Sequence, residues 1–487
     1  MSAPDFTAMS ATALAGAIRE GRASARDVVE AHIEVLRRVN PAINAVVADR
    51  YDAARAEAEA ADKRVAASEE PLPPLLGVPC TVKEAVAVAG MPNSAGIVAR
   101  GDACAPASAP VAQRLLEAGA IVLGVTNTSE MCLWVESENR LYGRTRNPYD
   151  PARTAGGSSG GEGAAIGSGG SPIGLGSDIG GSIRIPAFCC GVFGHKPSRG
   201  LVPGTGSYPP VEDGTRGMFT HGPLARRAED LMPLLRVLAG PDGIDSLVHP
   251  MPLGDPAEVS LHDLPVLLVD EAWPLVASDH MLRAREQAAG ALAAAGARVR
   301  RRKVPGLRRA VEAYVTTLAR NSGTAARDVL YEAGAARIDW RTLLRRGGPH
   351  TVATRLLLVA ELAQARMPGR LAQRLISAGE SIAGELSAAI GDGVLLEPPL
   401  ATTAPRHGRT VGRPWWLAHV VPFNLAGLPV TQTPLGLDRR GLPLGVQVVA
   451  GPGRDHVSIA VALELERVFG GWTPPRRLAT APALAPI

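Results

Sequence analysis

The chain has 487 residues, 46% of them hydrophobic, only 4% aromatic, and a net charge of +4. That length admits two or three domains or one large α/β unit, and the composition asks for a core built on Ala, Val, Leu and Ile. The arginines are scattered with no basic block interleaved with aromatics, which argues against nucleic-acid binding, and no apolar run reaches about 18 residues, so no transmembrane segment is expected.

In chain order, residues 10–20 and 24–39 read as amphipathic helices. Ser24 and Asp27 resemble a capping box, with Asp in place of Glu or Gln, and Asn40-Pro41 is expected to stop the second helix. The Ala/Glu/Arg-rich run 52–67 reads as a third helix, largely exposed. Pro71, Pro73 and Pro74 lead into residues 77–84, Gly-Val-Pro-Cys-Thr-Val-Lys-Glu. Thr81-Val82 has strand character, which places Lys83 at a strand end, pointing inward. A loop follows at 90–96, then a helix over 108–118 and a buried-type strand over 121–125. Asn127 and Met131, just beyond that strand, stand where α/β enzymes place their sites, and a structural role is the alternative for each. Residues 160–170 read as a small-residue helix, 173–177 as a strand, 178–182 as a tight turn, and a further helix starts at 183. The 217–239 stretch carries a helix from Ala228. Beyond 250 come a strand at 266–269, a helix at 281–295 and a basic strand at 299–304. Residues 308–390 read as helices with apolar faces (Leu356, Leu357, Leu362, Leu371, Leu375, Ile376) beside Arg355, Arg366, Arg370 and Arg374. They suit a lid, a membrane-touching cap or ordinary core-facing helices. Helix alternating with strand argues for an α/β fold with a largely parallel sheet covered on both faces.

Five cysteines, Cys80, Cys104, Cys132, Cys189 and Cys190, form no C-x-x-C pair. They read as buried free thiols of a reducing compartment, not as a disulfide framework or a metal site. The first residues lack the basic and apolar regions of a signal peptide, so a cytoplasmic location is expected.

The chemistry gathers at residues 154–186. Gly and Ser crowd this run, yet Glu162, Ile166, Ile173, Leu175, Asp178, Ile179, Ile183 and Arg184 hold definite places in it. Such a segment forces unusual backbone and turns N–H groups toward a ligand. Ser158 follows Gly156-Gly157, and Ser182 follows Gly180-Gly181. A hydroxyl beside free N–H groups is what acyl transfer requires. A P-loop is excluded because no Lys occurs in the run, and a dinucleotide fingerprint because Ile179 stands where its third Gly belongs. Residues 156–160 fit G-x-S-x-G, but among the downstream histidines His195, His221, His407, His419 and His456 no spacing singles one out as a partner.

With Lys83 in its Gly-Val-Pro-x-x-Val-Lys stretch, Gly-Gly-Ser-Ser-Gly-Gly at 156–161 and Asp-Ile-Gly-Gly-Ser-Ile-Arg at 178–184, the chain resembles the amidase signature family. The three motifs stand in order and in register. Asn147-Pro148-Tyr149-Asp150, Glu162-Gly163 and residues 194–198 resemble its fatty-acid amide hydrolase branch. The closing strands in 423–449 and a last helix at 456–468 are also similar to the family's. The likeness is weakest between 250 and 395.

The resemblance implies a single domain over 1–487, with a catalytic core at 70–240 and 400–470 and a divergent substrate-shaping region at 250–395. The implied fold is a large mixed, mostly parallel twisted sheet with helices on both faces. The implied roles are Ser182 as nucleophile, Ser158 as bridging serine and Lys83 as general base and acid. The N–H groups of Ile179, Gly180, Gly181 and Ser182 are expected to form the oxyanion hole. Met131 and Ser159 are expected at the substrate, Ser159 also hydrogen-bonding inside the network, and Asp178 and Arg184 as braces of the loop. Glu84 stands where much of the family has Asp, a departure expected to loosen a supporting contact. No cofactor or metal is implied. The implied reaction is hydrolysis of carboxylic amides with apolar acyl or aryl groups through an acyl-enzyme. The same machinery suits carbamates and esters, and a second reading is the glutamine-amidase subunit of a tRNA-dependent amidotransferase, against which Glu162-Gly163 argues. Family members are often dimers, so a homodimer is admitted.

Overall fold

The computed structural model describes residues 5–67, 70–270, 276–335 and 347–476. Its strands are β1 (Val46–Asp49), β2 (Pro79–Lys83), β3 (Ile121–Thr126), β4 (Glu138–Asn139), β5 (Gly143–Arg144), β6 (Ile173–Asp178) and β7 (Phe193–Lys196). They continue with β8 (Thr220–Ala225), β9 (Pro265–Val269), β10 (Arg298–Arg302), β11 (Val394–Glu397), β12 (Val430–Leu437) and β13 (Pro443–Ala450). β4 and β5 pair with each other, and the rest form one 11-stranded sheet in the order β1-β3-β2-β6-β8-β7-β12-β13-β11-β9-β10.

The α/β class, the mixed sheet and the helical covering hold, but parallel pairs are not the majority. Parallel pairing is confined to β3-β2-β6 and to β11-β9-β10. Between those blocks, and at β1, every pair is antiparallel. The cause lies in strands whose sequences do not look like strands. β8 is Thr-His-Gly-Pro-Leu-Ala and β7 is Phe-Gly-His-Lys. Their Gly and Pro residues read as turns, yet both strands are buried at every position, where packing on two faces decides conformation. The β10 edge reads Arg-Val-Arg-Arg-Arg and is exposed throughout. A row of charge there guards the unpaired edge against another strand.

Helices Ala11–Arg19 and Ala25–Ile43 begin at Ser10 and Ser24, whose hydroxyls accept from Ala13 N and Asp27 N. The second does not stop at Asn40-Pro41. Pro41 lies inside its last turn, and Asn44 ends it in the left-handed conformation with φ 49°. The Asn40 side chain takes the N–H groups of Ala45 and Val46 at 2.8 Å, turning the chain into β1. Helix Tyr51–Ala66 is not simply exposed, because Tyr51, Ala54, Ala58 and Ala61 form a buried stripe. Helix Gly160–Gly167 is buried at every residue. A methyl at Gly163 would lie 2.8 Å from the Pro186 carbonyl, so its glycines let neighbouring backbone come close.

The 308–390 stretch supplies helices Ala310–Asn321, Ala326–Glu332, Val352–Ala365 and Gly369–Ile390; its segment 336–346 lies outside the described residues. Leu356, Leu362 and Leu371 face solvent, Leu375 and Ile376 are half-buried, and Leu357 turns to an internal cavity. No helix among the described residues is long and apolar enough to cross a membrane.

Candidate active site

β2 lies between β3 and β6, and its last residue is Lys83. The side chain is fully buried, and Nζ donates to Ser158 Oγ at 2.6 Å and to Ser177 Oγ at 3.0 Å. Burial holds the ammonium pKa below the ordinary lysine value, while Cys132, Asp178 and Glu162 pull weakly the other way. No carboxylate pairs with Nζ among the described residues; its partners there are hydroxyls, which can accept from the ammonium or donate to the neutral amine.

Ser158 stands before helix Gly160–Gly167, after a cis Gly157–Ser158 peptide bond. Its carbonyl accepts from Ser137 Oγ at 2.8 Å, and that same oxygen accepts from Gly160 N. A methyl at Gly157 would lie 2.7 Å from the Trp134 carbonyl and the Glu136 nitrogen, so only glycine fits. Of the two places expected for Ser159, at the substrate and within the hydrogen-bond network, the structure gives the second. It is fully buried, its N–H donating to the Ser182 carbonyl at 3.2 Å and its Oγ lying 3.4 Å from both backbone polar atoms of Ser177. Its hydroxyl is spent on joining the two serine loops.

The loop after β6 is built around Asp178. Its carboxylate accepts from Gly181 N at 2.7 Å and Ile183 N at 3.1 Å. Arg184 reaches both oxygens from Nε and Nη2, and also holds Asn424 Oδ1 at 2.6 Å, Gln447 Oε1 at 2.8 Å and the Val420 carbonyl at 3.1 Å. Burial alone would raise the Asp178 pKa, but the Arg184 charge and hydrogen bonds, with Asn424, bring it well below the carboxylate range. The pair therefore braces the loop, as expected.

Gly181 is a correction to the expected oxyanion hole, since its N–H already serves Asp178. Its φ of +102° needs glycine, and a methyl there would lie 2.8 Å from Val420. The N–H groups of Ile179, Gly180 and Ser182 have no protein acceptor among the described residues. Ser182 keeps 7% of its surface, against none for Lys83 and Ser158. A Ser158–Ser182 hydroxyl contact is not among the hydrogen bonds of the described residues. Such bonds often tighten only when substrate is bound.

Ser177 escaped the sequence reading. It lies two residues beyond Leu175, which pairs with Val82 just before Lys83, so the parallel register of β2 and β6 brings it near the lysine. That pairing was the signal available. Glu84 also differs from expectation. Its carboxylate accepts from Ser94 N at 2.6 Å, Ser94 Oγ at 2.5 Å, Ala95 N at 2.9 Å and Tyr142 Oη at 2.9 Å, so the longer side chain leaves no loose contact. The Ala95 carbonyl in turn takes the Met131 N–H at 2.8 Å. Met131 and Cys132 have φ of 57° and 60°, a conformation side chains rarely adopt. Both reach a cavity of about 220 Å³, which Ser177 and Ile179 also line. Leu133, Phe219, Val315 and Leu318 make it apolar, and Glu212 and Glu361 are also among the lining residues. Asn127 is not part of it, its amide being tied to Gly143 and Asn139. All five cysteines are free thiols; Cys104 is exposed, contrary to the expectation of burial, and Cys132 half-buried. No group of three or more His, Cys, Asp or Glu among the described residues is arranged to hold a metal.

A hydrogen-bonded Lys-Ser pair beneath a glycine loop, on a mixed α/β sheet, defines a class of hydrolase. The sequence matches the Amidase family model over residues 27–458, and the chain belongs to that family, the amidase signature hydrolases of C–N amide bonds. Among its relatives, fatty-acid amide hydrolase 2-A of Danio rerio is 42% identical, covering 97% of this chain and 91% of its own length. Fatty-acid amide hydrolase 2 of Homo sapiens is 39% identical over 96% of this chain and 90% of its own. The solved structure of 6-aminohexanoate cyclic dimer hydrolase with its substrate superimposes with a TM-score of 0.81 at 28% identity, covering 97% of this chain and 99% of that one.

Proposed function

We propose that this amidase hydrolyses carboxylic amides with apolar acyl groups through Ser182, Ser158 and Lys83. Neutral Lys83 takes the Ser158 hydroxyl proton as Ser158 takes that of Ser182, and Ser182 Oγ attacks the amide carbonyl. The tetrahedral oxyanion rests on the N–H groups of Ile179, Gly180 and Ser182, where one donor is typically worth roughly 3–4 kcal/mol. The intermediate collapses as the relay runs backward, giving the proton to the leaving amine. Water then enters by the same relay and releases the acid.

The observation that carries this reading is the 2.6 Å hydrogen bond from a fully buried lysine to Ser158. An amine kept from water and from carboxylates is biased toward the neutral base that serine activation needs. The apolar cavity and the relatives named as fatty-acid amide hydrolases support the acyl preference. In this reading the chain works as one unit, with 250–395 shaping the acyl pocket. Carbamates and esters share the acyl-enzyme and differ in the leaving group.

The test is intact mass after exposure to a fluorophosphonate, followed by a panel of anilides, fatty amides, carbamates and esters. A single adduct mapped to Ser182, absent from Ser182→Ala, with amide turnover, is expected. Labelling at another residue, or undiminished turnover by Ser182→Ala, would remove Ser182 from the role.

A further inference from the structure

Helix Ala310–Asn321 lies in the stretch where the family likeness is weakest, yet it reaches the loop that follows β6. Tyr314, on this helix, is 4% exposed, and its hydroxyl donates to the Ile179 carbonyl at 3.1 Å. The ring rests against Gly180 so closely that a methyl there would lie 2.6 Å from Tyr314 Oη and 3.2 Å from Cζ. The Ile179–Gly180 peptide is not among the cis bonds, so its C=O and N–H point in opposite directions. Whatever fixes the carbonyl on the Tyr314 side aims the Gly180 N–H to the other side.

The rest of the loop is pinned differently. Asp178 takes the N–H groups of Gly181 and Ile183, which sets the Gly180–Gly181 and Ser182–Ile183 peptides but places no hydrogen bond on the Ile179–Gly180 peptide among the described residues. Among the described residues the Tyr314 hydroxyl is the hydrogen bond on that carbonyl. Burial, and then the charge of Asp178, push the phenol pKa above its ordinary value, so the hydroxyl remains a donor at every working pH.

We infer that Tyr314 is a positioning residue for catalysis: its hydrogen bond to the Ile179 carbonyl orients the Gly180 N–H toward the oxyanion formed on the substrate of Ser182. The inference rests on the proposed serine mechanism. It also gives the helix two duties, because Val315 and Leu318 on the same helix line the apolar cavity. An acyl group that seats well against this helix steadies the residue that aims the donor, so remote binding is expressed in turnover.

Tyr314→Phe removes the hydroxyl and keeps the ring. An oxyanion donor removed outright costs about 10²–10³ in kcat, and one merely left unaimed should cost about tenfold, with KM changed less than about twofold. The inhibition constant of a trifluoromethyl ketone, which binds serine hydrolases as an alkoxide adduct, should weaken in step with kcat/KM. A purely packing role would not tie those two quantities together. Gly180→Ala supplies a second arm. Its methyl collides with the Tyr314 hydroxyl, so adding Tyr314→Phe should return part of the activity that Gly180→Ala loses. Melting temperature accompanies each variant.

Wild-type labelling at Ser182 with Tyr314→Phe unchanged in kcat and ketone affinity overturns the inference alone. So do a loss confined to KM, or strictly additive losses in the double variant. A wild type that does not label at Ser182 overturns the proposed mechanism, and this inference with it.

Discussion

At the scale of single residues, burial acts against the charge of two ionisable groups, Lys83 and Glu162. Lys83→Ala is expected to lower kcat by about 10²–10⁴, the usual weight of a positioned base. The wild-type rate should climb with pH through the lowered Lys83 pKa, a limb the variant loses. A pH–rate profile decides this, and identical profiles would take the lysine out of the role. Glu162 is the second group. Thr81 and Thr126 hydroxyls meet its two oxygens at 2.7 and 2.6 Å. Burial lifts its pKa from about 4.5 to about 8, against those hydrogen bonds and the Lys83 charge. The folded chain therefore binds more protons than the unfolded one between those values. The stability tied to this proton is complete below the lower value and lost as pH rises through the higher. Glu162→Gln does not titrate, so its melting temperature should gain on the wild type between pH ~5 and ~9. Parallel melting curves across that range would contradict the raised pKa.

At the scale of elements, the loop after β6 depends on one buried ion pair. Arg184→Gln strips Asp178 of its cation while leaving the carboxylate enclosed, and breaking a buried pair in this way costs about 3–5 kcal/mol. Urea unfolding should register that loss together with the disappearance of fluorophosphonate labelling. Normal labelling with normal stability would mean that Asn424 and the backbone hold the loop unaided. The loop is also where sequence and structure agree best. Motifs in which each glycine and charge has a fixed place leave few backbone solutions, so Lys83, Ser158, Ser182, Asp178 and Arg184 could be picked out and the strands at 121–125 and 173–177 drawn nearly to length. β7 and β8 were illegible because their Gly and Pro mimic turns while tertiary burial makes them strands. Gly181 could not be excluded as a free donor until the Asp178 rotamer was known. Tyr314 and Ser177 owe their places to contacts across sequence, 135 residues in one case and 94 in the other, which local pattern does not encode.

At the scale of the whole molecule, the sheet joins the serine loops to the cavity wall. Leu318→Trp adds bulk inside a cavity of about 220 Å³. Each methylene refused by an apolar pocket is worth about 1–3 kcal/mol, so kcat/KM for long acyl amides should fall at least tenfold while short ones are spared. Equal effects on both would place the acyl group elsewhere. The Arg184 contacts have a bearing on biosynthesis as well. Lys83, Ser158 and Ser182 leave the ribosome early, but the residues that clamp Arg184, Asn424 and Gln447, emerge more than two hundred residues later. A nascent or prematurely terminated chain therefore carries Ser182 without the contacts that hold its loop, and under the proposed mechanism activity would await translation past residue 447.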